Sequence, residues 1–380
     1  MKNKLTVLAL MLGAAGLATS AAHAQEKVKI GFITKFPVPF FATMEGAAKE
    51  FAAANPDVEI IFGQGTSATD IEGQIALIES MVTKGVQGIA IAERAYQKAV
   101  QYARDRVQSR PVDGSIAASA PIIHHPDVKR MLMTMRAYTE GCRAMALTAA
   151  AAYDASHHHA DKDVRAQNQA FYEFLVPLVK GYSTEMSLEV TSLGVQVHGG
   201  MGFIEETGAA QYYRDAKILT IYEGTTAIQA NDLVGRKTAR DGGQTAKAIA
   251  AQIEATEAEL MRNGSGDAEA VAKRLRAARR AFLDVVDFVA GNSKASPNAV
   301  YAGSVTYLLL AGNLVAGWQL GRALLIAQEQ IAEGKDVDFM KAKIATARFY
   351  ADHILSRVPG QRDSVVDGAD SVTALALEAF

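Results

Sequence analysis

The sequence predicts a mostly α protein, preceded by a truncated α/β piece of β-α-β-α-β order. Three observations predict it. Short apolar strands alternate with amphipathic helical patterns from residue 27 to 92, long alanine-rich helical patterns replace them from Glu93 onward, and a compact apolar leader precedes both. The change of periodicity at Ala92 and Glu93 separates a piece over residues 25–92 from helical segments over 93–240 and 266–380.

The leader comes first. Lys2 and Lys4 precede an apolar run over residues 5–18 and the small-x-small triplet Ala22-His23-Ala24, which reads as a secretory signal peptide over residues 1–24. The run is shorter than the ~20 residues that span a bilayer, so export is expected, with a mature chain starting near Gln25 and a periplasmic location.

The α/β piece has three expected strands, over residues 28–33, 58–62 and 86–92, each a compact apolar run. Between them Phe41, Met44, Ala48 and Phe51 mark one face of a first helix, and Ile71, Ile75, Ile78 and Val82 that of a second. This order calls for right-handed crossovers in a parallel sheet. Pro39-Phe40-Phe41 follows the first strand, at the edge where open parallel sheets collect ligands. The two rings there either stack on a sugar or pack inward from a helix start.

From Glu93 the strand signal ends. Ala95, Ala99, Tyr102 and Val107 read as one helix, and Met131, Met135, Tyr138 and Cys142 mark another over residues 128–153. Further helical patterns cover 171–198, 226–236, 268–289, 299–333 and 339–357, broken by loops over 109–125, 199–224 and 292–297. Gly242-Gly243 and Asn263-Gly264-Ser265-Gly266 are the inner boundaries. Such helices suit a bundle.

Charge and side-chain chemistry remove several classes of function. The net charge is -2 with the signs interspersed, so no basic stripe exists for a nucleic acid. The single cysteine, Cys142, excludes an internal disulfide and a cysteine-based zinc site, and its helical, apolar neighbours suit a buried thiol. His157-His158-His159 point in different directions on a helix, and no metal is expected there. His124-His125-Pro126-Asp127 reads as a loop with a helix start at Asp127.

The densest functional pattern runs from Gln196 to Gln229. Gln196-Val197-His198-Gly199-Gly200-Met201-Gly202 ends a helix with three glycines in four positions, which lets a ligand or partner approach the backbone. Tyr213-Arg214-Asp215 follows. Tyr222-Glu223-Gly224-Thr225-Thr226 then sets a carboxylate just before a helix start, where Thr225 or Thr226 is expected to cap and free amides favour an anion such as a pyrophosphate. Each part also has a structural reading: Glu223 complementing a helix dipole, glycines in a C-cap and turn, and Arg214-Asp215 as a surface pair.

Taken together, this stretch resembles the C-terminal helical domain of the FAD-dependent acyl-CoA dehydrogenases. The family's glutamine-x-x-glycine-glycine-x-glycine segment is matched by Gln196, Gly199, Gly200 and Gly202, and its tyrosine-glutamate-glycine-threonine motif by Tyr222, Glu223, Gly224 and Thr225. The resemblance reaches back to Glu93-Arg94-Ala95 and Asp105-Arg106. It runs forward through Ser296-Pro297-Asn298-Ala299 and residues 345–352, which look like the extra domain of the subgroup containing 3-methylmercaptopropionyl-CoA dehydrogenase. It implies that Glu223 removes the α proton of an acyl-CoA thioester while hydride leaves the β carbon for FAD. It further implies that Arg106 contacts FAD phosphate across a subunit interface, and that Gln196, Gly199, Gly200 and Thr225 contribute to the same cofactor. A homo-oligomer through the helical domain and an acceptor like electron-transfer flavoprotein are implied too. Ala227 departs from the polar residue frequent in the family, and the family's N-terminal helical and middle β domains are expected to be missing. The dehydrogenase part is expected in the cytoplasm.

Lys29-Ile30-Gly31-Phe32, Phe40-Phe41, Ala68-Thr69-Asp70-Ile71 and Lys84-Gly85-Val86-Gln87-Gly88 resemble the opening of a periplasmic sugar-binding protein of the ribose-binding type. That resemblance implies part of one lobe of an ABC transporter's binding protein. Three readings stand at this point: an acyl-CoA dehydrogenase-like oxidoreductase, an exported sugar-binding protein, and an inactive fusion of two gene fragments.

Overall fold

The structure is a computed structural model that describes residues 28–34, 39–64, 91–221 and 224–380. The chain divides into two compact units, residues 1–89 and 90–380.

In the first unit β1 (Val28–Thr34) and β2 (Val58–Gln64) pair in parallel, Val28 opposite Val58 and Thr34 opposite Gln64. A parallel pair needs a crossover, and α1 (Pro39–Ala54) supplies it. Proline at its first position loses no hydrogen bond there. Phe51 was expected on the inner face of this helix but is 40% exposed, so the face is not fully covered. The second expected helix and residues 86–90 of the third expected strand lie outside the described residues.

The end of that expected strand is helical. Ile91 and Ala92 open α2 (Ile91–Asp105), whose Ala92, Ala95, Ala99 and Ala103 form one buried stripe. The alternating Ile89-Ala90-Ile91-Ala92 run resembles a strand locally, but spacings of three and four put alanines on a single helix face, where small side chains allow close packing. The helix ends at Asp105, short of the expected Val107, which instead bridges Pro121 and is exposed.

The rest of the second unit is helical. α3 (Pro126–His158) buries Met131, Met135, Tyr138 and Met145, and Asp161 caps α4 (Lys162–Pro177) by accepting from the Asp163 backbone N–H at 2.7 Å. Pro177 lacks a backbone donor, and the chain passes through a π-helical turn, Leu178–Tyr182, into α5 (Ser183–His198). α6 (Gly200–Phe203) and α7 (Ala209–Ile221) follow. The sequence assigned this stretch to a loop. α7 buries only Ala209, Ala216 and Thr220, too narrow a stripe to show as an amphipathic pattern.

α8 (Thr226–Val234) leads to α9 (Gln244–Asn263) and α10 (Gly266–Asn292). α9 fell between the two expected helical segments. It belongs with the second, because buried Glu257 accepts two bonds from buried Arg279 of α10, at 2.7 and 3.0 Å. A carboxylate on the inner face interrupts the apolar stripe by which a helix is recognised. The turn between the two passes through Gly264, at φ 73°, and the Ser265 side chain caps α10.

α11 (Pro297–Ala302) and α12 (Ser304–Ala332) divide the expected 299–333 helix at Gly303. α12 is the centre of the unit: residues 310–321 are all buried, around the whole circumference. Among the described helices it is long and apolar enough to cross a membrane, yet 72% of its apolar window is buried by its neighbours. A Cβ at Gly312 would collide with the Tyr182 ring, so this glycine lets the π-helical turn lie against α12. There the Tyr182 hydroxyl donates to Asn313 Oδ1 at 2.9 Å and lies 3.0 Å from the Tyr350 hydroxyl. α13 (Val337–His353), which carries Tyr350, α14 (Val358–Val366) and α15 (Ala369–Val372) complete the bundle.

Candidate functional site

α2 and α5 lie side by side. Tyr102 of α2 stacks on His198 of α5 with ring centroids 4.3 Å apart, and the His198 Nδ1 lies 2.7 Å from the Gly194 carbonyl. His198 is 5% exposed, and burial pulls its pKa below the ordinary imidazole value. This stack aligns the C-terminal ends of the two helices and brings most of the expected cofactor residues together.

Arg106 is the first residue past α2. Its backbone N–H donates to the Tyr102 carbonyl at 2.9 Å and its carbonyl accepts from Ile122 at 2.8 Å, so the backbone is held on both sides while the side chain is exposed. Gln196, Gly199 and Gly200 are exposed at the matching end of α5. The glycines have distinct roles. Gly199 adopts φ 58° and ψ -141°, which other residues avoid. A Cβ at Gly202 would run into the Val195 carbonyl, so this residue serves packing; one at Gly200 would meet nothing, so its backbone faces open space.

Thr225 lies elsewhere. Thr226 Oγ1 donates to Glu185 Oε1 at 2.5 Å, and Glu185 stands in the first turn of α5. Gln196 is eleven residues further along the same helix, about 16 Å at 1.5 Å per residue. The expected capping differs too: Thr225 occupies the N-cap of α8 without a side-chain cap bond, and Thr226 turns to Glu185 instead. The hydroxyl of Thr226 donates to a carboxylate, a charge-assisted bond stronger than one between neutral groups. Gly224 has φ 73°, and a Cβ there would strike Lys180 Nζ and come within 3.2 Å of Gln229 Nε2. Lys180, Glu185 and Gln229 therefore surround this end. Gln229 closes the functional pattern read from the sequence, whereas Lys180 and Glu185 were not expected, since they come from a distant segment that no local motif links to Gly224. Tyr222 and Glu223 lie outside the described residues.

Other expectations sort as follows. Phe40 and Phe41 fall in the first turn of α1, and their side chains lie outside the described residues. Arg214 pairs with Glu205 at 3.4 Å and donates to Gln211, instead of pairing with Asp215. Adjacent helical residues point about 100° apart, so Arg214 and Asp215 do not face each other. Burial pushes the Cys142 thiol up to about 12. His157 and His158 occupy the last turn of α3, favourable for a positive charge. Among the described residues no group of three histidine, cysteine or carboxylate side chains is placed to hold a metal ion.

Comparison with known proteins agrees with this architecture. Residues 79–237 match the family described as acyl-CoA dehydrogenase, C-terminal domain, and residues 246–376 match acetyl-CoA dehydrogenase C-terminal like. The first match begins upstream of Glu93, and Ile91 and Ala92 within it are helical. The second begins within α9, in keeping with the Glu257–Arg279 pairing.

The chain is 54% identical over 303 residues to 3-methylmercaptopropionyl-CoA dehydrogenase of Ruegeria pomeroyi, covering 80% of this chain and 51% of that protein. It is 32% identical over 334 residues to the broad-specificity linear acyl-CoA dehydrogenase of Mycobacterium tuberculosis, covering 81% of this chain and 54% of the relative. The chain thus spans about half the length of the curated relatives it matches. Its fold is similar to that of an acyl-CoA dehydrogenase from Bacillus anthracis solved with FAD, at TM-score 0.55 and 21% identity, over 74% of this chain and 48% of that one. The helical unit of this protein consists of C-terminal acyl-CoA dehydrogenase domains.

Proposed function

We propose that this chain is the C-terminal part of an FAD-dependent acyl-CoA dehydrogenase that removes hydrogen from the α and β carbons of an acyl-CoA thioester. The observation that carries the reading is the clustering of Arg106, Gln196, Gly199 and Gly200 at one end of α2 and α5. An exposed guanidinium, an exposed amide and open peptide backbone are a chemically suitable set for a phosphate-bearing cofactor. FAD, when bound, supplies the acceptor for the hydride that leaves the β carbon.

The chain's own residues do the rest. Glu223 takes the α proton on a carboxylate oxygen, a task that calls for a carboxylate more basic than one in water. Gly224, the residue after Glu223, has no side chain and so lets Lys180 and Gln229 pack close. Thr225 lies at the far end of α5 from Gln196, so the two groups meet separate parts of the cofactor or separate copies of it. The second case needs a homo-oligomer, with Arg106 crossing the interface. An acceptor like electron-transfer flavoprotein completes turnover.

The visible spectrum tests this. Purified chain should carry flavin bands that bleach with 3-methylmercaptopropionyl-CoA or butyryl-CoA. Glu223→Gln should keep the bands and slow bleaching by about 10²- to 10⁴-fold. Bands that bleach equally fast in the variant would remove Glu223 from the role of base.

A second reading applies to residues 1–92. α1 crossing between parallel β1 and β2, with Phe40 and Phe41 in its first turn, supports the start of an exported sugar-binding lobe, and residues 1–24 would direct it to the periplasm. Cell fractionation with N-terminal sequencing tests the export, and ribose calorimetry the affinity. A colourless chain that binds neither flavin nor ribose would leave the inactive fusion standing.

A further inference from the structure

The π-helical turn Leu178–Tyr182 is clamped between α8 and α12. Gly312 of α12 admits the Tyr182 ring, and Gly181 of the turn admits α8, since a Cβ there would come within 2.9 Å of the Gln229 Cβ and 2.8 Å of Leu308 Cδ2. Lys180, the middle residue of the turn, is half-buried, and its carbonyl accepts from Thr184 Oγ1 at 2.9 Å. Single π turns inside helices recur at functional sites.

The clamp brings Lys180 to one peptide unit. A Cβ at Gly224 would strike Lys180 Nζ, so the ammonium lies within about 4 Å of the Gly224 Cα, one carbon–carbon bond further in. The Glu223 Cα is one trans peptide away, about 3.8 Å. An opposite charge within about 4–6 Å favours the ionised form of a carboxylate, and a glutamate side chain is long enough to close such a gap. Half-burial leaves water to screen the ammonium only in part.

Other groups around the turn are paired, neutral or remote. Glu185 of α5 accepts from Thr226, Glu173 of α4 pairs with Lys237 at 3.0 Å, Asp232 and Arg236 pair with each other, and Arg136 and Glu140 of α3 pair at 2.8 Å. Burial pushes the Tyr182 and Tyr350 hydroxyls well above the ordinary phenol value, so both stay neutral, and α12 carries no charged residue from Ser304 to Gly321.

We propose that Lys180 is a positioning residue for the base: its ammonium holds the Glu223 carboxylate ionised and in place, so that the acceptor is ready for the α proton at neutral pH. The inference rests on the assignment of Glu223 as that base. A general base serves best with a pKa near the working pH, and a cation limits how far burial carries a carboxylate above it. The competing role for a lysine here is to complement the carbonyl end of α4, which would not couple it to Glu223.

Infrared pH-difference spectra of the full chain test this, with the Glu223 carboxyl band assigned by its loss in Glu223→Gln. Lys180→Met should raise the Glu223 midpoint by about one pH unit or more, as loss of a neighbouring cation does. Lys180→Gln should match it, and Lys180→Arg should restore most of the original value. A midpoint unmoved by both neutral variants, or moved as far by Lys180→Arg as by Lys180→Met, would overturn the proposal. The readout needs no flavin, so a chain without bleaching flavin bands counts against the dehydrogenase reading alone.

Discussion

Two arginines of the helical unit stand in opposite situations. Arg279 is buried and makes three hydrogen bonds, two to Glu257 and one to Glu254; Arg106 is exposed, its backbone anchored and its guanidinium turned to solvent. The first has spent its donors inside the fold and holds two helices in register. The second is proposed to use its donors on a cofactor. Burial and satisfaction, and not residue type alone, mark the arginine that maintains the bundle.

The largest test of that contrast is Arg279→Met, which leaves buried Glu257 with only the more distant Arg276, at 3.8 Å, and should destabilise the unit by about 3 kcal/mol. Adding Glu257→Leu should restore most of the loss, as denaturant titration would show; failure to recover would mean that the pair does more than neutralise itself. Arg106→Ala should leave the unfolding midpoint unchanged and weaken FAD binding by about tenfold or more, the effect of one charge-assisted bond. A fall in stability of the same size as that of Arg279→Met would break the comparison.

Cys142 sharpens the buried side. With its thiol pushed up to about 12, the native chain at pH 8 should react with an aromatic disulfide about three orders of magnitude more slowly than the unfolded chain. The smallest effect belongs to His198. Its folded pKa lies below the unfolded value near 6.5, so its contribution is complete above that pH and is lost progressively as pH falls toward the folded value. His198→Phe, which keeps a ring beside Tyr102, should flatten stability across that window.

Much of the helical unit was legible before folding was considered. α3, α5, α10 and α13 carry apolar residues at helical spacing, and the glycine-rich and Tyr-Glu-Gly-Thr segments are local in sequence, so periodicity and motif sufficed. The failures share one cause. α7 and α9 bury narrow or interrupted stripes, because their inner faces meet particular partners, Arg279 in the case of α9. Ala92 looked like a strand end until its companions Ala95, Ala99 and Ala103 lined up against α5.

The candidate site divides in the same way. The sequence by itself singled out the candidates, namely Glu223, Arg106, Gln196, Gly199, Gly200 and Thr225, through its resemblance to the acyl-CoA dehydrogenases, whose motifs are short. Only the tertiary structure decided their company. It stacked Tyr102, four residues before Arg106, on His198, next to Gly199, bound Thr226 to Glu185 across 41 residues, and left the buried Gln319 amide nitrogen without an acceptor. Such relations depend on how helices far apart in the chain pack, and no local pattern of residues encodes them.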